Sequence, residues 1–276
     1  MRAAVVGHIE WVQFARVERV QEPGEIVSAE EVWEEPAGGG AVAADQLANL
    51  NGSVDFFTLL GHDDIARRSR ERLTELGVTV HAGRADQPQR RAFTFVDANG
   101  ERTITVLGPK LRPSGEDGSL PWEELARCDC VYFTGGDVAA VHAARRAKVF
   151  VATSRELDTL HRAGDELDAL VGSGEDVGER FDARELDPPP KLVVSTAGPL
   201  GGWVRPGGPF RAAPLPGPVG DAYGCGDCFA AGFTFGLGSG WPVDAAVALA
   251  ARCGATVLTS RGPYERQLTA ADVAAR

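Results

Sequence analysis

Short apolar runs alternate with amphipathic stretches along the first third of the chain. Residues 2–7 and 54–60 are mainly apolar runs of the kind that form buried strands. The stretches 41–50 and 63–76 carry apolar residues at helical spacing, and the second of them leads into a strand-like run at 78–80. This order predicts an α/β protein, with a mainly parallel sheet and helices on its faces.

A second pattern, with period two, interrupts the first. The alternating runs 91–96 and 102–106 flank Asn99-Gly100, a dipeptide typical of tight hairpin turns. Less regular strand patterns lie nearer the N-terminus. Together these segments predict a small second sheet standing off the main body, contributed by about 11–35 and 88–107.

Strands and helices alternate again after residue 122. The predicted strands are 130–134, 149–153 and 192–196, and the predicted helices are 138–147, 156–163, 226–237 and 243–256. Glycine, proline and acidic residues make 172–190 a region of loops around a short helix, and a short hairpin is expected around Trp203 within 198–218. Without a repeat or a linker, the chain is predicted to be a single domain over 1–276.

Composition and charge narrow the class of protein. The chain has 276 residues, with 28 Lys and Arg against 39 Asp and Glu and a formal net charge of −11. Its average surface repels polyanions, so neither nucleic acid nor an anionic membrane is expected as a partner. The short apolar run at the N-terminus does not resemble a signal peptide, which predicts a cytoplasmic protein. Five cysteines in a chain of this size do not indicate a disulfide framework.

The segment Gly224-Cys225-Gly226-Asp227 carries the most specific chemistry. Closely spaced glycines permit a tight turn, and the small residues after them begin a helix whose free amides attract an anion such as phosphate. A carboxylate beside that anion site is placed to take a proton from an attacking hydroxyl, as phosphoryl transfer requires. An aspartate in a first helical turn also stabilises the helix dipole, and Cys225-x-x-Cys228 permits a zinc or redox reading. On the residues alone, these alternatives stay open.

Residues 221–233 resemble the C-terminal signature of the ribokinase-like (PfkB-type) carbohydrate kinases, which usually reads D-T-x-G-A-G-D before an apolar helix. Thr196-Ala-Gly198-Pro-Leu-Gly201 is similar to the family's nucleotide-side loop, and Gly38-Gly39-Gly40 is similar to its N-terminal diglycine. The resemblance covers nearly the whole chain. It implies a three-layer α/β/α sandwich with a small β-sheet lid, and an ATP-dependent kinase that phosphorylates a hydroxyl of a small carbohydrate.

The resemblance also implies roles for individual residues. Asp227 is expected to be the general base, and Gly224, Cys225 and Gly226 are expected to form the anion hole. Other implied contacts are ATP at Thr196, Gly198 and Gly201, Mg²⁺ and phosphate at Glu175, and the acceptor at Gly38, Gly39, Glu10, Arg91 and Asp227. A monovalent cation such as K⁺ and a homodimer formed through the lid are further expectations from the family.

Three departures from the family pattern concern the acceptor and the magnesium side. The Asn of the usual N-x-x-E falls at Gly172, the Asn after the diglycine is absent from 42–45, and the Asp that usually follows the first strand falls at Val12. The last two positions commonly bond sugar hydroxyls in the family, and an apolar side chain cannot do so. The residues considered as substitutes are His8, Glu10 and Asp45, with Arg90 or Arg91 reaching an acidic or phosphorylated substrate.

These departures leave three hypotheses. The first is a kinase for a small carbohydrate, and the second is a kinase of the same fold for a nucleoside or a vitamin-like alcohol. The third is a catalytically weak, ligand-sensing member of the family. The intact Gly224-Cys225-Gly226-Asp227 favours an enzyme.

Overall fold

A large sheet of nine strands forms the centre of the computed structural model, which describes residues 1–181 and 185–274. Its spatial order is β13-β12-β11-β10-β9-β8-β1-β4-β5. All neighbours from β11 to β5 are parallel, and β12 and β13 add an antiparallel hairpin at one edge. The strands are β1 (Ala3–Val6), β4 (Val54–Leu60), β5 (Val78–Arg84), β8 (Cys130–Phe133), β9 (Val149–Thr153), β10 (Ala169–Ser173), β11 (Leu192–Thr196), β12 (Gly202–Arg205) and β13 (Gly208–Phe210).

Helices cover both faces of this sheet and bury its apolar side chains. One face packs against α1, α2, α5 and α6, and the other against α3, α4 and a 3-10 helix at Trp122–Arg127. The helices are α1 (Gly39–Asn51), α2 (Asp64–Glu75), α3 (Val138–Arg145), α4 (Leu157–Ala163), α5 (Cys225–Gly238), α6 (Val243–Val257) and α7 (Ala270–Ala274). The predicted three layers are thus confirmed. No helix among the described residues is long and apolar enough to cross a membrane.

The predicted second sheet is also present, with four strands in the order β3-β2-β6-β7. The strands are β2 (Glu10–Arg16), β3 (Glu31–Ala37), β6 (Arg91–Val96) and β7 (Arg102–Leu107). The hairpin β6–β7 is antiparallel, while β2 and β6 are parallel. The strand expected from about residue 25 begins only at Glu31.

The small sheet has an inner face toward the body and an outer face away from it, because side chains alternate along a strand. Phe14 on the inner face stacks on Trp33 at 5.0 Å and meets Tyr223 edge-on at 5.1 Å. These rings anchor β2 and β3 to the body. All six residues of β7 are exposed, and this strand forms one edge of the small sheet.

Strand β10 is the main element that the sequence pattern did not indicate. It lies between β9 and β11 and pairs with both in parallel. Ala169, Leu170 and Val171 are buried, as expected for a central strand, but a run of three apolar residues so soon after the helical stretch 156–163 is too short to stand out. The region 172–190, in which a short helix is expected, includes residues 182–184, which lie outside the described residues.

Candidate functional site

The candidate site lies at the carboxyl edge of the large sheet, under the small sheet. Strand β1 leads there into Gly7 and His8, and β8 leads into Thr134. Helix α5 begins at the same edge, and α1 begins with Gly39 beside it. Ligands of open α/β sheets bind in this region, because parallel strands and helix N-termini converge there.

The start of α5 presents free amides to this crevice. Gly224 takes φ 83°, a left-handed conformation that favours glycine, and the chain then turns into the helix. The first helical bond runs from Cys228 N–H to Gly224 O at 2.9 Å. The amides of Cys225, Gly226 and Asp227 therefore have no partner within the helix. Gly226 is exposed, and no heavy atom lies within 4 Å of where a Cβ would stand on it. The turn is open to an anion.

Asp227 projects from this turn toward Gly39. Its Oδ1 lies 2.8 Å, and Thr134 Oγ1 lies 2.9 Å, from the position that a Cβ on Gly39 would take. Burial raises the pKa of Asp227 to about 6, and the nearby Glu179 carboxylate adds to the increase. A carboxyl group with this pKa is ionised at neutral pH yet basic enough to accept a proton from a hydroxyl.

Charged side chains that sequence reasoning did not single out surround Asp227. Arg155 Nε lies 2.6 Å from Glu179 Oε1, and the other oxygen of Glu179 accepts the Ser173 N–H at 2.8 Å. The Arg155 guanidinium opposes the rise in the pKa of Asp227 that Glu179 causes. Arg155 lies just after β9, and Glu179 lies in the loop after β10. The two are far apart in the sequence, so no single motif contains both.

Arg102 brings a further positive charge from the small sheet. Its Nη1 donates to Ala222 O at 2.6 Å, and its charge lowers the pKa of Asp227 against the effect of burial. The turn before it is also docked, since Ala222 N donates to Gly100 O at 2.9 Å. In the sequence, Arg102 follows the Asn99-Gly100 turn, which predicts a hairpin and gives this residue no role in the site.

The acceptor-side residues predicted from the diglycine come together. Gly38 N–H donates to Tyr223 Oη at 3.2 Å, which fixes the loop before α1. A Cβ on Gly38 would stand 3.2 Å from both Glu10 Cγ and His8 Nε2. Glu10 is buried, and its Oε2 lies 2.9 Å from Arg90 Nε. Burial raises the pKa of Glu10, and Arg90 opposes the increase.

Two other candidates are not brought to this group. Arg91 lies on the outer face of the small sheet, where it lines a groove with Trp11 and Phe93. Arg90, one residue earlier, takes the inner position. Asp45 is buried on α1, where Arg72 and Glu35 are its charged neighbours, and burial raises the pKa of its carboxyl to about 7.

The predicted nucleotide-side residues also lie together, after β10 and β11. A Cβ on Gly198 would stand 3.1 Å from Glu175 Oε2. Gly201 has φ 93°, and a Cβ there would stand 2.1 Å from Phe210 O, so only glycine fits this turn. Thr196 Oγ1 lies 3.5 Å from Gly172 O. The loop thus lies at the same edge of the sheet as the start of α5.

The cysteines of the Cys225-x-x-Cys228 segment are free thiols. Burial raises the pKa of Cys225 to about 12, and it raises that of Cys228 well above its usual value. Both side chains are therefore neutral thiols rather than thiolates at neutral pH. In the described part of the chain, no group of three or more His, Cys, Asp or Glu side chains is arranged to hold a metal ion.

Comparison with known families decides what this arrangement belongs to. The family model described as pfkB family carbohydrate kinase matches residues 2–155 and 153–270. The chain belongs to this family. The kinase is thus a phosphotransferase whose acceptor is an alcohol group, and the resemblance seen in its motifs is confirmed.

Named relatives agree with this membership. The kinase is 26% identical to the ATP-dependent ribose-1-phosphate kinase of Halopiger xanaduensis, across 100% of this chain and 97% of that protein. Its fold matches the adenosine kinase of Sinorhizobium meliloti with a TM-score of 0.79 and 21% identity, over 100% and 98% of the two chains. It also matches a ribokinase of Cryptococcus neoformans var. grubii, in complex with ADP, with a TM-score of 0.77 and 22% identity, over 100% and 99%. The ribokinase-like fold is confirmed.

Proposed function

We propose that this kinase transfers the γ-phosphoryl group of ATP to a hydroxyl of a small carbohydrate or carbohydrate-like acceptor. The observation that carries the proposal is the Asp227 carboxylate beside the open first turn of α5. The acceptor hydroxyl gives its proton to Asp227 and its oxygen attacks the γ-phosphorus. The bond to the bridging oxygen of ADP breaks, and the amides of Cys225, Gly226 and Asp227 stabilise the charge on the transferred group.

The names of the relatives support the general chemistry. They refer to ribose 1-phosphate, to ribose and to adenosine as acceptors, and one structure contains ADP. For this kinase, we place ATP against the loop of Thr196, Gly198 and Gly201. The lid over the acceptor is the small sheet, which excludes water from the transferred group when it is closed.

Magnesium fits this site as a companion of the nucleotide. Mg²⁺ is usually held by one or two carboxylates together with substrate phosphates, so it does not need a cluster of protein ligands. Glu175, beside Gly198, is the carboxylate that we place nearest to it. When bound, the ion would neutralise charge on the phosphates. A monovalent cation remains a prediction from the family.

A nucleoside or a vitamin-like alcohol is the second candidate acceptor. The inner face of the lid favours it, because Val12 is buried where the family commonly has a sugar anchor. Ile104 and Val106 are half-exposed on the same face. An apolar lid of this kind suits the face of a base or an aromatic ring.

A coupled ADP-release assay with Mg-ATP tests these alternatives directly. The acceptors are matched sets of sugars, sugar acids, sugar phosphates, nucleosides and vitamin-like alcohols. Acceptor-dependent ADP formation supports the kinase and identifies the acceptor class. ADP formation with none of them, while ATP still binds in calorimetry, contradicts the proposed reaction and favours the ligand-sensing alternative.

The pH profile should report Asp227. Since burial raises its pKa to about 6, kcat/KM is expected to rise with pH through about 6 as the base becomes ionised. Glu179→Gln removes a repelling negative charge, which lowers the pKa of Asp227 and moves this limb to lower pH. The exposed Glu123→Gln serves as the control and leaves the profile in place. A limb that stays unmoved in Glu179→Gln contradicts the assignment of the limb to Asp227.

We also propose that the outer face of the lid pairs two copies of the kinase. Ala15, Val32, Phe93 and Phe95 line an apolar groove there, and Ile26 beside them is 99% exposed. An exposed apolar surface of this kind is a usual site of association.

Light scattering is therefore expected to give twice the chain mass of 29.1 kDa. The Val32 side chain is half-exposed, so Val32→Asp places a charge in the groove and should yield a folded monomer. Thr79→Asp, at an exposed position on β5, is the control and keeps the mass of the native protein. A native monomer contradicts the pairing.

A further inference from the structure

Three basic side chains converge on the acceptor side of the candidate site. Lys110 Nζ donates to Thr134 O at 3.2 Å, and the Nδ1 of His8 lies 3.4 Å from the same oxygen. The hydroxyl of Thr134 faces Gly39 and Asp227. Arg90 reaches the same neighbourhood through Glu10. Lys110 thus contacts Thr134, and Arg90 contacts Glu10, the two residues that line the acceptor side next to Gly39 and Gly38.

The positive charges of this cluster exceed its negative charges. Lys110 Nζ lies 2.6 Å from Glu156 Oε1, and Arg112 pairs with the other oxygen of the same carboxylate. Arg90 pairs with Glu10. Three cations therefore share two buried carboxylates, and an unbalanced charge in a mostly buried site costs free energy that an anionic ligand offsets. The cations whose charges lower the pKa of Asp227 most are Arg102 and Arg155, which stand outside this cluster.

The cluster also has unused hydrogen-bond donors. An ammonium group has three N–H donors, and Lys110 uses two of them, on Thr134 O and Glu156. The Arg90 side chain is only 14% exposed, and it faces Glu10 through Nε. Within the described residues, its two Nη atoms donate to no protein group. These two Nη groups are open to solvent, and together with the third N–H of Lys110 they are free to donate to a ligand that accepts from them.

The positive charges of this cluster also act on the imidazole of His8. Burial lowers the pKa of His8 well below its usual value, and the charges of Lys110 and Arg90 lower it further. The ring is therefore neutral at physiological pH, and it serves as a hydrogen-bonding group beside Gly38 rather than as another cation. An anion placed here meets a positive field, while a neutral sugar finds apolar Val12 in place of a hydroxyl partner.

We propose that the acceptor of this kinase carries an anionic group, a phosphate or a carboxylate, that Lys110, Arg90 and Arg112 bind while Asp227 faces the hydroxyl to be phosphorylated. The acceptor class is thus a sugar phosphate or a sugar acid rather than a neutral sugar or nucleoside. The inference rests on the proposed kinase function for the identity of the bound molecule. The binding of the anion itself does not depend on turnover.

The test compares neutral and anionic members of the same acceptor pair in two measurements. Ribose is paired with ribose 1-phosphate and ribose 5-phosphate, and glucose with gluconate, in the ADP-release assay and in calorimetry with a non-hydrolysable ATP analogue. We expect Lys110→Gln to raise KM and Kd for the anionic member by about 10- to 100-fold, with little change for the neutral member. Lys110→Arg keeps the charge and should retain most of the binding. Lys148→Gln, on a side chain that is 75% exposed, is the control and should match the native protein.

The outcomes separate this inference from the function on which it rests. Loss of anion binding in Lys110→Gln without ADP formation by the native protein supports the anion site and contradicts the kinase. ADP formation with a neutral acceptor that exceeds that with its anionic partner overturns the anion site and leaves the kinase standing. Equal losses for both members in Lys110→Gln, or a melting temperature well below that of Lys110→Arg, show a merely structural residue and also overturn it. A phosphate that binds where gluconate does not identifies the sugar phosphate as the acceptor, and the reverse result identifies the sugar acid.

Discussion

Replacing Asp227 with asparagine is expected to lower kcat by about 10²–10⁴-fold, because the group that accepts the hydroxyl proton is lost. ATP binding should persist, since the amides of Cys225 and Gly226 remain at the start of α5. Steady-state kinetics and calorimetry with the nucleotide measure the two effects separately. Near-native kcat in Asp227→Asn contradicts the assignment of the general base.

Stability supplies the control for this variant. Burial raises the pKa of Asp227 to about 6, so above that pH the ionised carboxylate destabilises the folded state relative to its protonated form. A neutral asparagine relieves this cost. The melting temperature of Asp227→Asn at neutral pH is therefore expected to be no lower than that of the native kinase, and a large decrease assigns the lost activity to misfolding instead.

Replacing Gly39 with alanine should produce the second large loss. The new methyl group would stand 2.8 Å from Asp227 Oδ1 and 2.9 Å from Thr134 Oγ1, closer than atoms pack, so both side chains must move. A displacement of about 1 Å at a catalytic group costs about 10²-fold in rate, and we expect a decrease of this order in kcat/KM. The same assay measures it.

Helix stability distinguishes this effect from unfolding. Gly39 begins α1 without a left-handed backbone, and alanine favours helix over glycine, so the melting temperature should not fall. Gly118→Ala is the matched control, because no heavy atom lies within 4 Å of its added Cβ, and it should keep native kinetics. Native kcat/KM in Gly39→Ala contradicts the close approach of Asp227 to the diglycine.

The fold was largely predictable from local patterns, and the exceptions have physical causes. Helix α2 has a helical periodicity and strand β4 is a long apolar run, so their bounds in the structure agree with the sequence closely. The hairpin β6–β7 is specified by Asn99-Gly100. Strand β10 was missed because its continuous apolar run, Ala169-Leu170-Val171, is only three residues long and closely follows the helical stretch 156–163. The parallel pairing of β2 with β6 joins distant segments, and no local pattern encodes it.

The candidate site divides in the same way. The turn Gly224–Asp227 is a contiguous segment, so its amides and its carboxylate are visible together in the sequence. The charged neighbours that shift the pKa of Asp227 are not visible in the sequence, because Glu179 comes from a loop and Arg102 from the lid. The sequence analysis also predicted that Arg91 contacts the acceptor. The pleat of β6 directs it to the outer face, where it lines the groove beside Trp11 and Phe93.

By itself, the sequence determined the family and the layers, and it singled out Asp227 as the proposed general base, since each depends on residues close together along the chain. Tertiary structure alone decided the electrostatics of the acceptor side. The charges of Arg90, Lys110 and Arg112 act on His8 only after the segments before β6, after β7 and after β1 meet at one edge. Charge acts through space and falls off with distance between atoms, not between positions in a sequence, so the positive field of this group appears only in the folded chain.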